Sequence, residues 1–160
     1  MRKDICRIYD ETIKKKLILI SLLIFILSLF FDAFKIEDIG KITNFESYTV
    51  VLIGIISFLG GGIFEFFVWT ANCWFFLSIL FTFRKKYSTS SIFGIIALGI
   101  SASFMLWREV LASESERTAK IQSLEVGYFL LLASILFITF SSVYLKIIEK
   151  KNAKFKEFRY

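Results

Sequence analysis

Four long apolar runs constrain this chain more than any other feature of it. Residues 17–31, 87–107 and 126–145 contain no Asp, Glu, Lys or Arg, and residues 47–83 contain one, Glu65. Such runs do not belong in the core of a soluble domain of 160 residues. They have the length at which an α-helix crosses a bilayer, where the backbone must satisfy its own hydrogen bonds. The expected fold class is all-α: a polytopic membrane protein with four transmembrane helices. Its 20 Phe and its 56% hydrophobic residues agree with that class.

The spans expected within this single membrane domain, 1–160, are 17–34, 63–83, 90–107 and 126–145. The first holds 18 residues, or about 27 Å of helix, enough for a hydrocarbon core. The stretch Asp32-Ala33-Phe34-Lys35 at its end has no small-x-small cleavage pattern, so the run reads as an uncleaved span rather than a signal peptide. Residues 35–47 read as a polar loop. Residues 48–59, only 12 in number, make about 18 Å of helix and are too short to cross. Gly60-Gly61-Gly62 interrupts the run after them. Two readings compete, a crossing or a short interfacial or re-entrant segment before the second span.

The positive-inside rule decides between them. With no crossing at 48–59 and a cytoplasmic amino terminus, the inner segments 1–16, 84–86 and 146–160 carry 15 Lys plus Arg, and the outer loops carry 5. An extra crossing reduces this to 9 inside and 11 outside. Both termini are therefore expected in the cytoplasm, and 48–59 at the outer face. In residues 108–125, Glu114/Arg117 and Glu116/Lys120 are spaced as helical charge pairs, so the third span is expected to leave the membrane as a helix.

Much chemistry is excluded. The chain has no His, hence neither the commonest general base nor the commonest metal ligand. Cys6 and Cys73 fall at different expected depths, which rules out a shared disulfide or metal site. No Walker loop, dinucleotide fingerprint or nucleophile elbow is present. Neither a catalytic residue nor a cofactor is expected, and the chain is not expected to be an enzyme. The net charge of +6 lies in loops and termini, as membrane orientation requires, and does not indicate nucleic-acid binding.

Each span carries a sparse polar or small face. These are Ser21, Phe25, Ser28 and Asp32 in the first, and Glu65, Trp69, Asn72 and Phe76 in the second. The third has Gly94, Ala97 and Ser101, with Gly99 and Ser103 on another line. The fourth has Gly127, Ser134 and Ser141. Small and hydroxyl residues at such spacings are packing seams of a helical bundle. Glu65, Trp69, Asn72 and Arg108 form the candidate intramembrane polar centre. Glu65 falls at the third position after a Gly62 cap, where a carboxylate meets free N–H groups; Arg108 is an alternative partner, and a ligand another. Asn72 and the Trp69 indole need hydrogen-bond partners at depth, expected from neighbouring helices.

The amino-terminal segment places Ile5, Ile8, Tyr9, Thr12 and Ile13 on one face, an amphipathic pattern suited to the inner leaflet. The tail, 146–160, holds six basic residues and Phe155, Phe158 and Tyr160. Anionic lipid is the expected partner of both termini. A membrane-protein partner or a second copy completes the expected partners. The function that fits is a non-enzymatic interaction, accessory or toxin-neutralising role; the alternative is an oligomeric conduit for small solutes or ions.

Gly60-Gly61-Gly62, then Trp69-Thr70-Ala71-Asn72, then Arg117-Thr118-Ala119-Lys120-Ile121 leading to Gly127-Tyr128-Phe129-Leu130 resemble the pattern of a group of small, uncharacterised bacterial inner-membrane proteins. The similarity covers residues 60–135. In that group a Pro commonly succeeds the Asn, where this chain has Cys73. The resemblance implies a bacterial inner-membrane location and four spans, and no particular activity.

Overall fold

The computed structural model describes the backbone of residues 2–111 and 117–157 and the side chains of residues 11–111 and 117–151. Helix α1 (Arg2–Ser28) leads into strands β1 (Asp32–Asp38) and β2 (Lys41–Glu46), then the short helix α2 (Ser47–Ile53). A 3-10 turn, Ser57–Gly60, precedes α3 (Ile63–Trp69) and α4 (Ala71–Phe83). After α5 (Tyr87–Ser103) and a second 3-10 turn, Phe104–Leu106, come β3 (Glu109–Leu111), β4 (Thr118–Leu124) and α6 (Val126–Glu157).

Three helical stretches among the described residues are long and apolar enough to cross a membrane: Ile63–Phe83, Tyr87–Leu106 and Val126–Lys151. They give the chain a multi-pass membrane architecture. Helix α4 packs along α5, α5 along α6 and α6 along α1. The bundle core is Ile18, Phe25, Phe75, Ala97, Ile135 and Ile138. Ser21, Phe25 and Ser28 are buried together, and Ser21 Oγ donates to the Ser134 carbonyl at 3.0 Å, tying α1 to α6. Gly94, Ala97 and Ser101 also face inward, whereas Gly99 is exposed.

The chain is not all-α. The segments read as a polar loop and as a helical extension build one antiparallel sheet in the order β2-β1-β4-β3. The first apolar run therefore stops being helical at Ser28, short of residue 34. From Phe34 on, Phe34 and Ile36 are buried while Lys35 and Glu37 are more exposed, a period of two that fits a strand and not a helix. Ile39 and Gly40 have φ of 49° and 71°, the two left-handed residues that a tight hairpin turn needs. In residues 108–125 the same alternation, with Val110 and Ala119 buried between more exposed neighbours, overrides the helical charge spacing. Arg117 pairs with Asp38 at 2.8 Å, and Lys120 stands opposite Glu37 and Glu109. Glu114 and Glu116 lie outside the described residues.

The inner face of the sheet rests on the helix ends through Ala33, Phe34, Ile36, Phe104, Val110, Ala119 and Tyr128. Gly127 lets strand and helix meet: a Cβ there would lie 2.1 Å from Ser47 Oγ and 2.6 Å from the Phe31 carbonyl. The amino terminus is also not a separate surface helix, because α1 runs without a break from Arg2 into the apolar run. The side chains of Ile5, Ile8 and Tyr9, like those of Phe155, Phe158 and Tyr160, lie outside the described residues.

Residues 48–59 fold into most of the short helix α2 and the start of a 3-10 turn, not into one continuous helix. Helix α2 has seven residues, about 10 Å. Its Val51 packs against the bundle core, and its end meets Trp69. The chain then returns through the 3-10 turn, where the Ser57 carbonyl accepts the Gly62 N–H at 2.9 Å and Phe58 packs on Phe66. This is a half-loop beside α3. Its outward residues, among them Leu52, Ile53, Ile56 and Leu59, the last 80% exposed, are apolar.

Candidate functional site

The four residues of the candidate polar centre do not meet at one place. Gly62 does cap α3, with Glu65 in its first turn. The carboxylate, however, turns to the sheet: Glu65 Oε1 accepts the Leu111 N–H at 2.8 Å. This satisfies a donor on the open edge of β3. Arg108 is exposed, forms no ion pair among the described residues, and contributes its carbonyl to the Ile121 N–H at 2.8 Å.

Trp69 finds its acceptor in the half-loop, donating to the Val51 carbonyl at 2.7 Å. Its ring is stacked on Phe66 and fits against Gly54, where a Cβ would come within 2.4 Å of Cδ1. Asn72 is 8% exposed, so it does face inward. Its amide nitrogen donates to the Trp69 carbonyl at 3.0 Å, a local bond across the α3–α4 junction rather than one between helices. Asn72 Oδ1 has no partner among the described residues. The expected face does not continue along α4, which buries Ala71, Asn72, Phe75, Ser78 and Thr82 and turns Phe76 outward.

Glu65 instead belongs to a cleft of about 400 Å³ under the sheet, lined by Gly61, Phe64, Glu65, Trp107, Glu109, Val110, Leu111 and Thr118. Phe64 and Trp107 meet edge to face with centroids 6.3 Å apart. Glu109 Oε2 accepts the Thr118 hydroxyl at 2.8 Å. Glu65 and Glu109 form no ion pair among the described residues, whereas Asp38 and Glu125 hold Arg117 and Lys35. The Ser123 hydroxyl and then Lys35 hold the Glu125 carboxyl below the usual range.

A further polar cluster joins the helices of the bundle, on residues outside the expected set. Thr82 Oγ1 is 2.6 Å from Ser90 Oγ and 2.9 Å from Ser142 Oγ; Ser90 Oγ is 2.7 Å from Ser142 Oγ and 3.1 Å from Ser78 Oγ. All four are fully buried, and they join α4, α5 and α6. Gly94 makes room for Thr139, whose Oγ1 would be 2.4 Å from an added Cβ. The i, i+4 spacing of Ser78 and Thr82 is the signal for this cluster that the sequence carries.

At the far end, Lys14 is only 3% exposed. Its Nζ donates to the Phe83 carbonyl at 3.3 Å and pairs with Glu11 at 2.7 Å. A cation is thereby placed at the α4 carboxyl end, where it is favourable. Glu11 also pairs with Lys85 of the α4–α5 turn. Hydrogen bonds from Lys14 and Lys85 pull the Glu11 carboxyl down to about 2.

Among the described residues there is no group of three or more His, Cys, Asp or Glu side chains that could hold a metal ion. In comparisons with known proteins, no family model, no curated protein and no solved structure matches this chain.

Proposed function

We propose that the chain is a four-pass protein of a bacterial inner membrane, with both termini in the cytoplasm, that acts by interaction rather than catalysis. It would serve as an accessory subunit or as a protective protein against a membrane-acting toxin. The observation that carries this reading is the joining of both outer segments into one sheet keyed to the bundle. A loop that merely connects spans has no need of a four-stranded platform with an exposed charged face. Lys35, Glu37, Glu109 and Lys120 on that platform are suited to selecting a partner by charge pattern.

The apolar part of α1 supplies the fourth crossing, with Leu19, Leu23, Ile26 and Leu27 exposed toward lipid. The half-loop 48–59 is immersed in the outer leaflet, its backbone bonded internally and to Trp69. Lys15, Lys16, Arg84, Lys86, Lys150 and Lys151 gather at the opposite end, suited to anionic lipid of the inner leaflet. The competing reading, an oligomeric conduit, draws less support, because the centre of one copy is filled by the self-bonded hydroxyls.

Photo-crosslinking residues at Glu37, Thr43 and Lys120 in native membranes test the proposal. A discrete polypeptide adduct from these positions, lost when Lys35 and Lys120 are reversed to Glu and absent from a probe at Phe140, is the expected result. No adduct from any sheet position, together with ion flux in liposomes, would replace the reading by the conduit.

A further inference from the structure

The cleft under the sheet has a position, a shape and a charge that point to one kind of occupant. Glu65 lies in the first turn of the span Ile63–Phe83, and Trp107 directly succeeds the span Tyr87–Leu106. The cleft therefore opens at the level where two spans leave the hydrocarbon. On the same two helical stretches Ile63, Phe67 and Leu106 are exposed and apolar, while Glu109, Val110, Leu111 and Thr118 of the sheet also line the cleft. It is an open depression of about 400 Å³.

Two carboxylates from separate elements share this space with two aromatic rings. Glu65 and Glu109 each have one oxygen held by an uncharged donor, the Leu111 N–H and the Thr118 hydroxyl, which fixes the side chains without neutralising them. Lys120 stands opposite Glu109 in the strand register but makes no ion pair with it. Phe64 and Trp107 provide π surfaces that attract a cation through their quadrupoles. An ammonium group between carboxylates and aromatic rings gains from both terms.

We propose that this cleft binds the ammonium headgroup of a zwitterionic phospholipid from the leaflet on the sheet side. The acyl chains run along the exposed apolar side chains of the two spans, Phe67 and Leu106 among them. That both spans meeting at the cleft carry exposed apolar residues is the reason for assigning the cation to a lipid rather than to a free amine. The inference goes beyond the interaction reading above and does not depend on which protein the sheet meets.

The test uses the full chain, purified in mild detergent and examined by native mass spectrometry. The probes are phosphatidylethanolamine and phosphatidylglycerol of identical chains, and free ethanolamine. One phosphatidylethanolamine retained with roughly tenfold preference over phosphatidylglycerol, and no retained ethanolamine, is the expected result. Glu65→Gln with Glu109→Gln keeps the acceptors for Leu111 and Thr118 and removes both charges; it should abolish the preference. Glu109→Gln alone, further from the helix, should reduce it and serves if the double variant does not fold. Equal retention of the two lipids, an unchanged preference in either variant, or ethanolamine bound as well as the lipid would overturn the proposal.

Discussion

The Trp69 indole N–H donates to the Val51 carbonyl at 2.7 Å, and this bond ties the α2 end of the half-loop to the second span. Val51 lies near the end of a seven-residue helix, where a carbonyl lacks a partner from its own helix. The deep Trp lacks an acceptor in its own helix. Each supplies the other's missing bond. Trp69→Phe keeps the ring against Gly54 and removes only the donor. The variant should lose about 0.5–1.5 kcal/mol, the net worth of a typical hydrogen bond. In hydrogen-exchange mass spectrometry, faster exchange should be confined to residues 48–59. Uniform acceleration through α6 would contradict a local role.

The hydroxyl cluster should be cooperative. Thr82→Val is nearly isosteric and removes the hydroxyl that meets both Ser90 and Ser142. Interhelical hydrogen bonds in lipid are worth about 0.6–2 kcal/mol, and the loss should fall there. In a double-mutant cycle with Ser142→Ala, the two losses should sum to more than the double variant shows, because they break one network. Strict additivity in detergent unfolding would mean that the hydroxyls act separately.

Gly127 marks where the sheet meets the last span. Gly127→Ala places a methyl 2.1 Å from Ser47 Oγ and 2.6 and 2.7 Å from the Phe31 and Asp32 carbonyls. Overpacking of this kind costs about 1–3 kcal/mol. Adding Ser47→Ala should recover little of it, since the two carbonyls remain. Thermal unfolding of both variants checks this.

Glu11 gives the basic end a pH dependence. Its folded pKa, about 2, lies below the ordinary value of 4.5. The unfolded chain therefore holds the proton more tightly. The stabilisation is complete above the unfolded value and disappears as pH falls through the window from 4.5 toward 2. Glu11→Gln should flatten the stability profile in that window and leave it unchanged in shape at neutral pH. A wild-type profile already flat there would show that the pairs with Lys14 and Lys85 contribute nothing in solution.

Three of the expected spans coincide with long apolar helices, because length and apolarity are local quantities. Ile63 as the start of one and Val126 as the start of the last come from them directly. The sheet is hidden for a physical reason. Phe34 and Ile36 belong to a strand whose partner, Ile121, lies far along the chain, and an apolar Phe34 adjoining residues 17–31 reads as more helix. Residues 108–125 offer helical charge spacing on one side and alternation on the other, and only burial of Val110 and Ala119 decides between them. Glu65 is recognisable as the start of a helix, but its bond to Leu111 requires knowing that β3 exists. Polarity alone turns the Asn72 amide inward. Its bond to Trp69 is not legible, because no Gly or Pro marks the passage from α3 to α4.

The pairing of β1 with β4 also fixes the order in which this molecule can mature. Each hairpin, β1–β2 and β3–β4, is contiguous in the chain and needs no other part of it. Their junction must wait until residues 118–124 have been made and delivered to the side where β1 already stands. Until then the inner face of Phe34 and Ile36 is uncovered and the first helix lacks the one it packs along most extensively, α6. Zipping the two hairpins and closing the bundle are then a single late event. A chain stopped before residue 118 would expose an unpaired strand edge to every neighbour in the membrane.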